Sequence, residues 1–483
     1  MAWTTTQFSC RIRLIAGPGL AILIYASLGL LGLDTAARNT AAIMGLMAVW
    51  WATETLPVAV TALLPIVLFP LCAIMPIAET ASAYASSTIF LFMGGFIVAL
   101  AIERSGLHRR IALGIISITG LDGRALTAGF MLAAAFLSMW ISNTSTTLML
   151  LPIALSVIDT VEREHRLLPA PQRSGFRSAM LLGLAYGASI GGMATLIGTP
   201  PNAFLAAFIE AETGEPIGFA QWMLVGLPVT MILLPLCWLF LTRVLYKIDF
   251  RVPAALKKSI LDEIAQPERW SSAEKRVAGL FVVLVVGWLL REQLRLLPGL
   301  ASLSDTAIAI AVAILAFIIP DGEREGALLN WDEANRLPWG VLLLFGGGLA
   351  LADGMSSSGL TIWIGEQLAP LTGLHLTLLV GFSVLLVIFL TEVTSNLATT
   401  AAVLPVMAAL AEDSSAGLMI LLVPVTLSAS CAFMFPVATP PNAIVYGAGG
   451  LRIAAMMRAG IVLNLIAAGV LVLVATGWVG IIF

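Results

Sequence analysis

Charge is scarce in this chain. Only 11% of its 483 residues are Asp, Glu, Lys or Arg, against roughly 25% in a soluble domain. Hydrophobic residues make up 59%, and the mean hydropathy is +0.99. A water-soluble fold needs more polar surface than this, whereas lipid tolerates outward-facing apolar side chains. Histidine is nearly missing: His108, His165 and His375 share no ligand spacing, which leaves haem, zinc and histidine-based catalysis without residues to work with. Cys10, Cys72, Cys237 and Cys431 are scattered without metal or disulfide spacing and read as small apolar fillers. Intramembrane hydrolysis would need a paired Asp, a zinc motif or a Ser–His arrangement. None is apparent, so the chain does not read as an enzyme.

What the chain has in quantity is long apolar runs. Spans are expected near 14–33, 41–57, 58–76, 86–104, 176–208, 219–242, 274–291, 303–319, 338–353, 417–447 and 456–481, giving about 11 transmembrane helices in an all-α polytopic fold. The polar stretch Met1–Arg13 precedes an apolar run long enough to span and shows no small-residue cleavage site, so Leu14–Leu33 reads as the first membrane helix rather than a signal peptide. Two further runs, 125–160 and 374–411, are each split near the middle by polar residues. They read as re-entrant helical hairpins, since irregular backbone at membrane depth is tolerated only where it is buried in protein or lines a cavity.

Charge placement orients the spans. With the N-terminus in the cytoplasm and the hairpins returning to the side they came from, three basic clusters fall inside: Arg104, Arg109 and Arg110; Arg163, Arg166, Arg173 and Arg177; and the long polar loop from Arg243 to Arg276. The Glu210, Glu212, Glu215 loop and Glu412–Asp413 fall outside. This satisfies the positive-inside rule, with Arg291 and Arg295 as exceptions. The C-terminus then lies outside, in a bacterial-type inner membrane.

The chain also repeats itself. Residues 92–152 match 345–405 at a constant offset of 253: Gly94-Gly95 on Gly347-Gly348, Ser105-Gly106-Leu107 on Ser358-Gly359-Leu360, Ser142-Asn143 on Ser395-Asn396, Thr146-Thr147 on Thr399-Thr400 and Pro152 on Pro405. Thr199-Pro200-Pro201-Asn202 matches Thr439-Pro440-Pro441-Asn442 at an offset of 240. In the topology above the two halves are inverted. Inverted repeats with broken helices are a signature of secondary transporters, with the substrate at the repeat interface near the midplane.

The polar interruptions carry the chemistry. One hairpin holds Ser138 and Ser142-Asn143-Thr144-Ser145-Thr146-Thr147; the other holds Thr391, Thr394-Ser395-Asn396-Leu397 and Thr399-Thr400. A hairpin tip ends one helix and starts another, exposing free carbonyls and free N–H groups. Carbonyls with Asn and Ser oxygens suit a hard cation such as sodium; N–H groups at a helix N-terminus suit a carboxylate or sulfate. Serine and threonine often only back-bond to their own helix, but an unpaired Asn amide in each hairpin is costly to bury without a purpose. The Pro-Pro pairs free further carbonyls, and Gly191-Gly192 before the first pair allows close backbone approach. No Lys or Arg lies in these clusters, so an anion there needs helix dipoles and co-bound cations. Glu392, formally intramembrane, is either a functional group or a satisfied structural carboxylate. Glu54, near a predicted helix end, reads as structural.

These paired Ser-Asn motifs, the Thr-Pro-Pro-Asn loops and the run Cys431–Asn442 resemble the divalent anion:sodium symporter family, including the INDY-like dicarboxylate carriers, over nearly the whole chain. The resemblance implies a homodimer working as an elevator, with a scaffold (14–120 and 274–372) and a moving transport domain (121–246 and 373–483) joined by a cytoplasmic linker (247–273). Segments 105–119 and 358–372 would be connecting arms. One sodium site would use Ser138, Ser142, Asn143 and Gly191; the other Thr391, Thr394, Ser395, Asn396 and carbonyls near Ala438 and Pro440. The dianion would meet Ser142-Asn143-Thr144 and Ser395-Asn396, with Leu397, Thr199 and Thr439 beside them. Leu397 replaces a threonine of many bacterial members, which removes one hydroxyl and adds apolar bulk to the expected pocket. The implied activity is sodium-coupled symport of C4-type dicarboxylates, with lipid around the protein and no organic cofactor or nucleic-acid partner. A sodium-independent exchanger, or a symporter for sulfate or a tricarboxylate, is the alternative.

Overall fold

The computed structural model describes residues 2–164, 170–250, 269–412 and 417–483. Among these the regular elements are helical, and strand-like pairing is limited to an isolated bridge between Pro320 and Ala327. Five of the described helices are long and apolar enough to cross a bilayer: Ile77–Ser105, Asn143–Glu162, Phe219–Leu245, Trp339–Ser357 and Ile453–Ile482. Other expected spans are shorter, divided or, like Thr35–Thr53 (19 residues) and Ser272–Leu289 (18 residues), less apolar. The run 58–76 is not one helix but two, Val58–Thr61 and Leu64–Leu71. Pro57 and Pro65 stand at their starts, where a missing N–H costs nothing. Much of the 247–273 linker, with Arg251, Lys257 and Lys258, lies outside the described residues, as do Arg166 and Asp413.

The internal repeat is kept in the helix boundaries. Gly123–Ser138 and Leu376–Thr391 are both 16 residues long. Each is followed by a short irregular stretch, 139–142 or 392–395, and then by a helix starting at Asn143 or Asn396. The segments expected as arms are the helices Leu107–Thr119 and Leu360–Thr372, 13 residues each. Each arm is reached through a glycine in the left-handed region, Gly106 (φ 80°) or Gly359 (φ 75°), a conformation that gives the repeated Ser-Gly-Leu its physical reason.

The Thr-Pro-Pro-Asn motifs do not kink a continuous helix. Helices Ala170–Gly192 and Leu418–Ser428 end, the chain runs irregularly through 193–199 and 429–439, and new helices start at Pro200 and Pro440. Proline is favoured at this first helical position because its N–H would have no helical partner anyway. The free carbonyls therefore come from the preceding helix end rather than from a disrupted turn.

Two kinds of packing fix these breaks in space. Gly183, Gly187 and Gly191, four residues apart on helix Ala170–Gly192, face Met131, the Met131 backbone and the Ala135 backbone of helix Gly123–Ser138. Such small-residue faces let membrane helices approach closely, which draws the end of one helix against the end of the other. Contacts also cross between the halves. Helix Asn143–Glu164 packs on Pro440–Gly447, and helix Asn396–Glu412 packs on Pro200–Thr213. A single large core runs through these elements, with Trp222, Trp288, Tyr186 and Phe204 fully buried.

The first arm is held by charge. Arg110 gives Glu274 a two-pronged bond, Nε to Oε1 and Nη2 to Oε2, both at 2.9 Å, with side-chain exposures of 6% and 9%. Its guanidinium also covers the Trp270 ring at 4.9 Å. Glu274 in turn forms a reciprocal cap with Ser271 at the start of its helix. The equivalent position in the second arm is Trp363, so the anchor belongs to one half only. Removing one partner of a buried pair leaves an uncompensated charge and costs about 3–5 kcal/mol. Arg110→Ala is therefore expected to lower the thermal unfolding temperature of the purified protein markedly, and Arg110→Lys, which loses the fork, to lower it as well.

Candidate functional site

The first helix break of the repeat lies between Ser138, which closes one helix, and Asn143, which opens the next; 139–142 and 392–395 are the repeat breaks, 193–199 and 429–439 the proline breaks. Ser138 Oγ, Asn143 Oδ1 and Thr146 Oγ1 are buried and have no hydrogen-bond partner among the described residues. Backbone oxygens crowd the same place. A Cβ added to Gly192 would come within 2.8 Å of Asn143 Oδ1 and 3.0 Å of the Gly198 carbonyl oxygen, and one added to Gly198 would come within 2.9 Å of the Ser138 carbonyl oxygen. Side-chain and carbonyl oxygens thus gather around the first proline break with few donors among them. Thr195 ties the two breaks together, its hydroxyl donating to the Met139 carbonyl at 2.5 Å.

The second half builds a comparable cluster by a different route. Thr391 Oγ1 lies 2.8 Å from Asn396 Oδ1 and 2.9 Å from the Ala429 carbonyl oxygen. A hydroxyl has one hydrogen, so it serves only one of these acceptors at a time. Three oxygens sharing one proton repel one another unless a cation joins them. Ser430 Oγ, buried next to Ala429, also has no partner among the described residues. These donor sets are all oxygen and neutral, which suits a hard cation such as sodium rather than a transition metal. Among the described residues no group of His, Cys, Asp and Glu could hold a metal ion.

Several expected residues sit elsewhere. Thr394 bonds back to the Leu390 carbonyl (2.8 Å) and meets Thr399 Oγ1 (2.5 Å), so its hydroxyl supports the break instead of joining Asn396. The Thr391–Asn396 cluster reaches the backbone at Ala429, upstream of the expected Ala438 and Pro440; Ala438 is buried and Pro440 is exposed at a helix start. Leu397 packs in the hydrophobic core at 4% exposure, so its bulk does not go to an open pocket. Thr199 and Thr439 are mostly buried N-caps, and Thr439 Oγ1 accepts from Asn442 N at 3.3 Å. Ser142 is exposed and Thr144, Asn143, Ser395 and Asn396 are half-buried. Ser142 Oγ accepts from Ser145 N at 3.1 Å, which makes it the N-cap of the helix that Asn143 opens. These residues are polar groups at the two helix starts, Asn143 and Asn396, where helix N–H groups suit an anion.

Glu392 resolves as a structural carboxylate. It is 1% exposed. Oε1 accepts from Phe433 N (2.8 Å), Met434 N (2.9 Å) and Asn464 Nδ2 (2.7 Å), and Oε2 accepts from Met434 N and Phe435 N, both at 3.1 Å. The break 392–395 is thereby tied to the second proline break. The first half has Met139 at this position, where the carbonyl, not the side chain, makes the link. Glu54 is an exposed C-cap in the left-handed region (φ 46°). Gly198, Ala429, Asn202 and Asn464 were missed by sequence reasoning. The repeated Thr-Pro-Pro-Asn motif signalled Asn202, while Asn464 stands alone in an apolar helix.

Each hydrogen bond to a charged group contributes about 1.5–3 kcal/mol. Glu392→Ala should therefore destabilise strongly, since it strands backbone N–H groups at 433–435, and Glu392→Gln should fall between it and wild type. Thermal unfolding of the purified variants checks this order.

An apolar helical bundle with paired helix breaks, oxygen-lined and flanked by helix starts, defines a membrane transporter for ions and small polar solutes. Residues 11–483 match the family model described as the sodium:sulfate symporter transmembrane region, and the chain belongs to that family. It is 41% identical over 473 residues to the sodium-dependent dicarboxylate transporter SdcS of Staphylococcus aureus (strain NCTC 8325 / PS 47), covering 96% of this chain and 90% of that one. It is 38% identical over 467 residues to the SdcS of Staphylococcus saprophyticus, with the same coverage. Two solved structures share the fold: the YdaH transporter of Alcanivorax borkumensis (TM-score 0.58, 14% identity, 83% of this chain and 87% of that) and MtrF of Neisseria gonorrhoeae (TM-score 0.59, 13% identity, 84% of each). The chain is thus an integral membrane protein of a bacterial plasma membrane.

Proposed function

We propose that this protein carries C4-type dicarboxylates into the cell by symport with sodium. The two oxygen clusters are the observation that carries the reading: Ser138, Asn143 and the Gly192–Gly198 backbone in one half, Thr391, Asn396 and the Ala429 carbonyl in the other. Sodium held there supplies the positive charge that no Lys or Arg in these clusters provides. The dianion then meets Ser142-Asn143-Thr144 on one side and Ser395-Asn396 on the other, facing helix N-termini as well as the bound cations. Sodium binding thus comes before, and creates, the anion site. The 38–41% identity to transporters named as sodium-dependent dicarboxylate carriers supports both ion and substrate class.

The same reading extends to the motion. The scaffold comprises 14–120 and 274–372, the moving unit 121–246 and 373–483, and the chain works as a homodimeric elevator with the N-terminus inside and the C-terminus outside. The matched helix boundaries of the two halves support two states of similar energy, open to opposite sides. The arms Leu107–Thr119 and Leu360–Thr372, each turning on a left-handed glycine, are the places where such motion is absorbed.

Uptake of radiolabelled succinate into proteoliposomes tests the proposal. Saturable uptake driven by an inward sodium gradient is expected, absent with potassium, and abolished by Asn143→Ala and by Asn396→Ala in folded protein. Uptake that ignores sodium and requires internal dicarboxylate would make the protein an exchanger instead.

A further inference from the structure

The Thr-Pro-Pro-Asn motif ends in an asparagine that the proposed reading does not use. Asn202 and Asn442 are both fully buried. Asn202 Nδ2 donates to the carbonyl oxygens of Gly192 (3.1 Å), Met193 (3.3 Å) and Thr195 (2.8 Å). Asn442 Nδ2 donates to those of Ala432 (3.0 Å) and Phe435 (3.1 Å). With the motifs aligned, Gly192 falls on Ala432 and Thr195 on Phe435. The same amide therefore gathers the same two carbonyls in both halves.

The loops so gathered have little else in common. Their lengths differ, 193–199 against 429–439, and so do their sequences. The first is also tied by Trp222 Nε1 on the Met193 carbonyl (3.1 Å), the second by the Glu392 carboxylate on its N–H groups. The asparagine is the element that both share. Carbonyl dipoles converging on one point repel one another, and an amide with two hydrogens is the donor that holds them there. The Met193, Thr195 and Phe435 carbonyls also accept from Trp222 Nε1, Gly198 N and Ala438 N, so it is the Gly192 and Ala432 carbonyls whose second lone pair faces a ligand.

A second observation recurs with the first. Asn202 Oδ1 and Asn442 Oδ1 are both buried without a hydrogen-bond partner among the described residues. Burying an amide oxygen unpaired is unfavourable, and here it happens twice at equivalent positions. The Nδ2 bonds fix which end of each amide is oxygen, so the arrangement is not an ambiguity of orientation. In the first half the gathered Gly192 carbonyl belongs to the backbone beside Asn143 Oδ1 and Gly198. In the second, the gathered Ala432 carbonyl follows closely on the Ala429 carbonyl that meets Thr391.

We infer that Asn202 and Asn442 are a symmetric pair of positioning residues for the two sodium sites. Their Nδ2 groups hold the proline-break carbonyls in register, and their free oxygens add negative potential next to the cations. The pair sets sodium affinity without touching the dianion. This inference rests on the sodium sites proposed above.

The test is a sodium titration of thermal stability, without dianion, on full-length purified protein: wild type, Asn202→Ala, Asn442→Ala and the milder Asn202→Ser and Asn442→Ser, each against choline. Supporting residues of a metal site typically alter affinity by about 10–100-fold when replaced. The half-stabilising sodium concentration should rise by that factor in the alanine variants and by less in the serine variants, which retain one donor. At saturating sodium, the succinate concentration for half-maximal uptake should stay at the wild-type value. Should the alanine variants fail to fold, the serine pair carries the test. Variants that melt lower in choline and sodium alike, with the wild-type half-stabilising concentration, would make the asparagines loop braces only and overturn the inference. A wild type that sodium does not stabilise would overturn the sodium sites themselves.

Discussion

Backbone carbonyls without partners are the constraint on which this structure turns. In an apolar interior every such group must find a donor or a cation. This fold ends four helices in its interior and thereby frees carbonyls in four places, at 139–142, 193–199, 392–395 and 429–439. Each break is satisfied by another. Thr195 donates to the break 139–142, Glu392 of the break 392–395 accepts from the second proline break, and Thr391 reaches Ala429. Apart from the Trp140 indole N–H in the first break, what these bonds leave unmatched is oxygen: Ser138, Asn143, Asn202, Ser430 and Asn442 all retain unpaired oxygens among the described residues. A cluster rich in oxygen acceptors and free of formal positive charge has the chemistry that suits a cation.

The repeat makes this economical, yet the halves are not copies. The first half uses a close glycine face, Gly183, Gly187 and Gly191, to bring its helix ends together. The second uses the buried carboxylate of Glu392 with Asn464. The first arm is anchored by Arg110 on Glu274, where the second arm has a tryptophan. Two states of a symmetric device would be equal in energy; such one-sided contacts are where a preference between them can arise.

The sequence made the periodic and the repeated features legible. The offset of 253 pairs the two polar interruptions, 139–142 with 392–395, and the two left-handed glycines, Gly106 with Gly359. Ser138 and Asn143 keep unpaired oxygens beside the first break, and Thr391 meets Asn396 at the second. Where side chains differ from the motif's expectation, facing direction is the reason. Leu397 follows Asn396 immediately, and one step along a helix turns a side chain from a cavity into the core; Thr394 had an acceptor four residues back on its own helix and took it. Pairings between distant elements, such as Glu392 with Asn464 or Arg110 with Glu274, leave no local trace. The prolines were read as sources of free carbonyls, whereas they start helices and the asparagine after them collects the carbonyls.

The central claim is that sodium builds the anion site. Calorimetric titration of succinate into the purified protein measures this directly, in sodium and then in potassium at equal ionic strength. The account predicts saturable heat in sodium and none in potassium. Equal succinate binding in both salts would show that the dianion needs no cation, and would contradict it.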